Sequence, residues 1–155
     1  MTDFNKKFIY FICFVSALGG LLFGYDWVVI GGAKPFYEVF FGITDNPVQQ
    51  GWAMSIAIAG CLVGATTAGK LADLIGRKWL LMISSVIFLI SAYGTGEVSN
   101  YDLFLFYRLI GGVAIGVASM VSPMYIAEIS PAHIRGKLVS INQLTIVIGI
   151  LAAQI

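Results

Sequence analysis

Charge is what this 155-residue chain has least of. Nine basic and eight acidic side chains make up 11% of it, while 59% is hydrophobic. A soluble domain carries about 25% charged residues, so a water-soluble globule is excluded. The single histidine and the two cysteines, Cys13 and Cys61, show no metal-ligand spacing and no disulfide framework; each cysteine sits inside an apolar run and reads as a small hydrophobe. No basic run interleaved with aromatics is present, which removes nucleic acid as a partner. There is no nucleophile–base pair and no metal cluster. The loop Gly69–Lys78 has glycines and basic residues but lacks the G-x-x-x-x-G-K-[ST] order that cradles phosphate. These absences exclude an enzyme and imply no metal and no bound cofactor.

What is there is a set of long apolar runs. Spans are expected at about residues 8–33, 51–72, 79–96, 103–125 and 138–155. At about 1.5 Å per residue, the first four cross or nearly cross a hydrocarbon core of ~30 Å. The start mimics a secretory signal, with Lys6 and Lys7 ahead of an apolar run. That run continues to about Ala33, beyond the roughly 7–15 residues of a signal core, so it reads as a retained span. Pro35 and Asp45-Asn46-Pro47 are expected to break the chain into a loop over residues 34–50.

Gly69–Lys78 places four charges between two such runs and belongs at a membrane surface, because a charge at the bilayer centre costs roughly 2.5–3.5 kcal/mol even on the lenient scale. Alternate loops then sort by sign. Lys6, Lys7, Lys70, Arg77, Lys78, Arg135 and Lys137 share one side; Lys34 lies opposite with Glu38, Asp45, Glu97 and Asp102. Such a bias puts the N-terminus and Gly69–Lys78 in the cytoplasm. The last run is still apolar at Ile155, which suggests an N-terminal, incomplete piece of a longer protein.

Small residues four apart, Gly20/Gly24, Gly60/Gly64 and Gly112/Gly116, predict closely packed helices. Two ionisable residues fall within spans, Asp26 and Arg108. Counted from the same surface, both lie about 8–10 Å deep, where opposite charges can neutralise one another. Burial favours a protonated carboxyl and a close guanidinium favours the ionised one. Making and breaking this contact would therefore let Asp26 bind a proton in one state and release it in another; a static structural pair is the other reading. Phe23, three residues back, shares that helical face and could stack on a sugar ring, or simply pack. Asn142 and Gln143 put amides inside an apolar run, suited either to a neutral polyol or to holding helices together.

The motifs carry a resemblance. Gly69, Asp73, Gly76, Arg77 and Lys78 follow G-x-x-x-D-x-x-G-R-K, the pattern the major facilitator superfamily carries between its second and third helices. Pro123–Gly136, with Tyr125, Glu128, Pro131 and Arg135, resembles the sugar porter pattern P-x-Y-x-x-E-x-x-P-x-x-x-R-G. Arg108 with Gly112 and Gly116, and Gly19–Asp26, are similar to runs in the same family.

The resemblance implies an all-α integral membrane protein, helices one to five of a twelve-helix fold, with the C-terminal half of the transporter as partner. It implies alternating access in the cytoplasmic membrane. Asp26 matches the acid of proton-coupled members and Arg108 its partner. Gln143 matches a sugar-binding glutamine, beside Asn142, and Phe23 a sugar-contacting aromatic. Some xylose porters carry a second glutamine seven residues on; here that place is Ile150, as in many facilitative glucose carriers. Gly69, Asp73, Gly76, Arg77, Lys78, Glu128 and Arg135 match a cytoplasmic gate whose acids and arginines form a salt-bridge network. The expected function is import of a monosaccharide, pentose or hexose, with the proton as coupling ion. A facilitative uniporter and a non-transporting sugar sensor are the alternatives.

Overall fold

A computed structural model describes residues 6–155; the segment ahead of Lys6, expected on the cytoplasmic side, lies outside the described residues. The described chain forms five helices, α1 (Lys6–Phe40), α2 (Pro47–Ile75), α3 (Arg77–Glu97), α4 (Tyr101–Ile129) and α5 (Arg135–Ala152). All five are long and apolar enough to span a membrane.

Helix ends differ from the proline-based expectation. α1 runs through Pro35 to Phe40, seven residues beyond Ala33. Proline removes one i→i−4 hydrogen bond and crowds the carbonyl four residues back, here that of Gly31, and the packing of the last turns holds the helix together past it. Tyr37 stacks on Phe104 at 5.5 Å between ring centroids, and Phe41 on Phe104 at 5.1 Å. The helix stops at Gly42, whose φ of 65° suits glycine. Its N–H reaches the Val39 carbonyl and that of Ile43 reaches the Glu38 carbonyl, the paired bonds of a Schellman cap. Asp45-Asn46-Pro47 is a start signal as much as a break. Asn46 Oδ1 accepts from the Gln49 N–H at 3.4 Å, and Pro47 takes the first turn, where its missing N–H is not needed.

Packing is governed by small residues. Every residue buried in α2 is alanine or glycine: Ala53, Gly60, Gly64, Ala68 and Ala72. Large side chains such as Phe11, Leu62 and Leu89 face outward, each more than 60% exposed. Lipid is as apolar as leucine, so burying leucine offers little and close backbone contact decides. A Cβ on Gly60 or Gly64 would run into the Leu109 or Val113 carbonyl of α4, and one on Gly112 or Gly116 into the Ala57 or Cys61 carbonyl of α2. Between α1 and α5 the same contact recurs, Gly24 against the Ile146 carbonyl and Gly149 against that of Leu21. Helix α4 touches all four others and is the most buried, half of its apolar stretch lying inside the bundle.

This arrangement separates glycines that must stay glycine from those that need not. Gly116→Ala should destabilise the folded protein by about 1–3 kcal/mol through overpacking. Gly51→Ala, whose added methyl meets nothing within 4 Å, should be neutral or stabilising by up to ~1 kcal/mol. Thermal unfolding in detergent checks the opposite signs.

Candidate functional site

The buried charges meet. Arg108 Nη1 donates to Asp26 Oδ1 at 3.0 Å and to Oδ2 at 3.1 Å, joining α4 to α1. The Arg108 side chain is 9% exposed and that of Asp26 23%. The pair lines a cavity of about 890 Å³ between α1, α3 and α4, along with Ile30, Tyr37, Ser91 and Phe104. Ser91 Oγ donates to the Tyr107 carbonyl at 2.6 Å, fixing α3 beside the arginine's turn. Gly111 leaves room for it, since a Cβ there would overlap Ser91 Oγ. Among the described residues Arg108 Nε has no hydrogen-bond partner, and it is buried.

Phe23 and Gln143 lie outside this cavity. Three residues along a helix leave a side chain about 60° off, and around Asp26 the lining from α1 includes Leu22, Tyr25 and Val29 instead. Phe23 is half-buried, and Gln143 is exposed on α5. Asn142 is 4% exposed. Its carboxamide lies 3.0 Å from Ser122 Oγ, which donates to the Ser16 carbonyl at 2.6 Å. One turn on, Thr145 Oγ1 donates to the Ala17 carbonyl at 2.7 Å. Asn142 is therefore a clamp between α1, α4 and α5, and of the two adjacent amides Gln143 alone is open. The Ile150 backbone N–H borders Gly24 of α1. Sequence reading missed Ser16, Ser122 and Thr145, since one hydroxyl in a span bonds its own helix as readily as a neighbour.

At the α2–α3 end, Arg77 ties three elements together. Nη2 pairs with Asp73 Oδ1 at 2.8 Å, Nε with Glu128 Oε1 at 3.0 Å, and Nη1 donates to the Ala72 carbonyl at 3.2 Å. Gly76 makes the sharp link between α2 and α3 with a φ of 90°, where a side chain would be strained. Lys78 and Arg135 are exposed, and among the described residues Arg135 makes no ion pair. Among the described residues the expected four-residue network is thus three residues here: Arg135, the exposed first residue of α5, pairs with neither acid. Gly69 faces open space.

Five apolar helices with a buried ion pair and a charged hinge at one end describe a multi-span membrane bundle. Comparison makes this specific: the profile of the family described as "Sugar (and other) transporter" matches residues 12–155, and the chain belongs to that family. Its members here are transporters, not enzymes. The chain is 42% identical over 151 residues to the galactose-proton symporter of Escherichia coli, covering 97% of itself and 32% of that protein. Against the glucose transport protein of Synechocystis it is 44% identical over 149 residues, covering 96% and 31%. The D-xylose-proton symporter of E. coli is 38% identical over 172 residues, with 96% and 35% covered. In three dimensions, the proton:xylose symporter XylE bound to 6-bromo-6-deoxy-D-glucose, a major facilitator superfamily protein, superposes with a TM-score of 0.89 at 38% identity. That match covers 96% of this chain and 36% of XylE. The inward-open form of XylE from E. coli gives 0.87 at 39% identity, over 93% and 38%. The chain thus spans about a third of the length of its relatives.

The two ionic sites should differ in energetic weight. Arg108→Ala leaves a partly buried carboxylate without its partner and should cost about 3–5 kcal/mol. Arg77→Ala removes exposed pairs, each worth about 0.2–1 kcal/mol. Chemical or thermal unfolding of both variants in the same detergent measures the contrast.

Proposed function

We propose that the protein carrying this chain is a secondary active transporter that imports a monosaccharide, pentose or hexose, by proton symport. The Asp26–Arg108 pair carries this reading. A carboxylate held inside a membrane bundle by one guanidinium, beside a cavity, can gain a proton when that contact loosens and lose it when the contact re-forms. Alternating access would supply the two states. The sugar relatives support the substrate class: their names print galactose, glucose and xylose.

In this reading the Gly76 end faces the cytoplasm and the Gly42 end faces outward, as the distribution of basic residues suggests. The membrane is the cytoplasmic one. Gln143, exposed on α5, contacts sugar hydroxyls, with Phe23 of the adjoining helix contributing an apolar ring face. Arg77, Asp73 and Glu128 form part of a cytoplasmic gate, with Gly69, Gly76 and Lys78 in the same hinge and Arg135 available for a contact in another state.

Two substitutions separate coupling from recognition. Asp26→Asn should abolish uphill, proton-driven uptake while leaving exchange of labelled sugar across vesicles at equal pH. Uphill uptake surviving in that variant would show that Asp26 has no coupling role, whereas sugar influx that never acidifies a lightly buffered interior would favour a facilitative uniporter. Gln143→Ala should raise the sugar KM by roughly tenfold or more, since a buried ligand hydroxyl then loses its partner, with exchange and driven uptake affected alike.

A further inference from the structure

The buried residues of α5 are Leu138, Asn142, Thr145 and Gly149, a 4-3-4 stripe along one face. Its apolar ends are seated against neighbours. Leu138 packs with Cys13 and Ala17 of α1 and with Ile126 of α4, and a Cβ on Gly149 would meet the Leu21 carbonyl. The polar middle is held by hydrogen bonds instead. Thr145 Oγ1 donates to the Ala17 carbonyl at 2.7 Å. Ser122 Oγ, on α4 and fully buried, donates to the Ser16 carbonyl at 2.6 Å and lies 3.0 Å from the Asn142 carboxamide. One hydroxyl thus joins α1, α4 and α5. Glycine contacts set how closely α5 approaches, but a glycine face tolerates rotation about the helix axis. A buried carboxamide does not, since turning it away from its partner leaves a polar group unpaired in apolar surroundings.

We propose that Ser122 is a positioning residue for sugar recognition: by holding Asn142 it fixes the rotation of α5, and with it the place of the Gln143 amide. The inference rests on the reading of Gln143 as a sugar contact. Gln143 is the next residue along α5, about 100° round the helix, and exposed. Its amide stands roughly 6 Å from the helix axis, so a turn of about 10° displaces it by about 1 Å. A shift of that size spoils a hydrogen bond to a bound hydroxyl. Ser122 has no exposed surface, so it acts through Asn142 alone. It is also remote from the ion pair. Arg108 lies fourteen residues earlier on α4, about 21 Å along the axis, and Asp26 lies ten residues beyond Ser16 on α1. Ser122 therefore bears on sugar affinity and leaves proton affinity alone.

Ser122→Ala in the full-length protein tests this. The sugar KM in exchange at equal pH should rise several-fold, while the pH profile of driven uptake stays as in the parent. Combined with Gln143→Ala, it should raise KM no further than Gln143→Ala alone, because a positioning group has nothing left to position. A second variant separates positioning from stability. Ser122→Ala with Asn142→Leu replaces both partners by apolar groups, which restores much of the thermal stability lost in the single variant. KM should nevertheless stay raised. An unchanged KM in Ser122→Ala, additive effects with Gln143→Ala, or a KM that recovers together with stability each overturn the proposal, the last marking the hydroxyl as structural only. Gln143→Ala by itself distinguishes the two claims. If it raises KM and Ser122→Ala does not, only the positioning role fails. If it leaves KM unchanged, the reading of Gln143 as a sugar contact fails and the positioning role with it.

Discussion

Backbone contact through glycine is the constraint on which the rest of this bundle depends. Gly60 and Gly64 lie against the carbonyls of α4, and Gly112 and Gly116 against those of α2. In hydrocarbon there is no solvent-driven reward for burying large apolar side chains, so helices associate where their backbones approach most closely. The consequence is a helix, α4, drawn into the centre of the bundle with Arg108 on it. The matching contact of Gly24 and Gly149 draws α1 and α5 together and sets Asp26 at the depth where Arg108 can reach both of its oxygens. The ion pair is thus a product of packing.

Polar groups inside the bundle then divide by what they can still do. Ser16, Ser122, Asn142 and Thr145 use their hydrogen bonds on one another and on neighbouring backbones. Saturated in this way, they join α1, α4 and α5 and have little left for a ligand. Asp26 and Arg108 pair with each other and line a cavity. At the α2–α3 end, Arg77 makes exposed pairs whose energies are small. Such contacts suit a contact that opens and closes, since little stability is lost when it breaks. The saturated groups and the exposed pairs thus differ in the stability they contribute.

The helix ends show where local signals mislead. Pro35 reads as a breaker, yet α1 continues past it, because Tyr37 and Phe41 have aromatic partners on α4. The stop comes instead at Gly42, whose φ of 65° is the left-handed turn that glycine takes most readily. Asn142 and Gln143 are chemically alike and adjacent, but one residue is about 100° of helix rotation. That rotation buries the first among α1 and α4 and exposes the second. Phe23 falls off the Asp26 face for the same reason.

Composition and spacing by themselves determined that this is a bundle of membrane-spanning helices, that small-residue faces hold it, and that Asp26 and Arg108 lie at matched depth. Those follow from rules a one-dimensional pattern obeys: the cost of charge in lipid, the rise per residue and the need for close approach. Only the tertiary structure decided which amide is free, that Arg135 stands apart from Arg77, and that Tyr37 shares a cavity with the ion pair. Each of these depends on how one helix is rotated against another. That angle is set by contacts between residues far apart in the chain, and no local pattern encodes it.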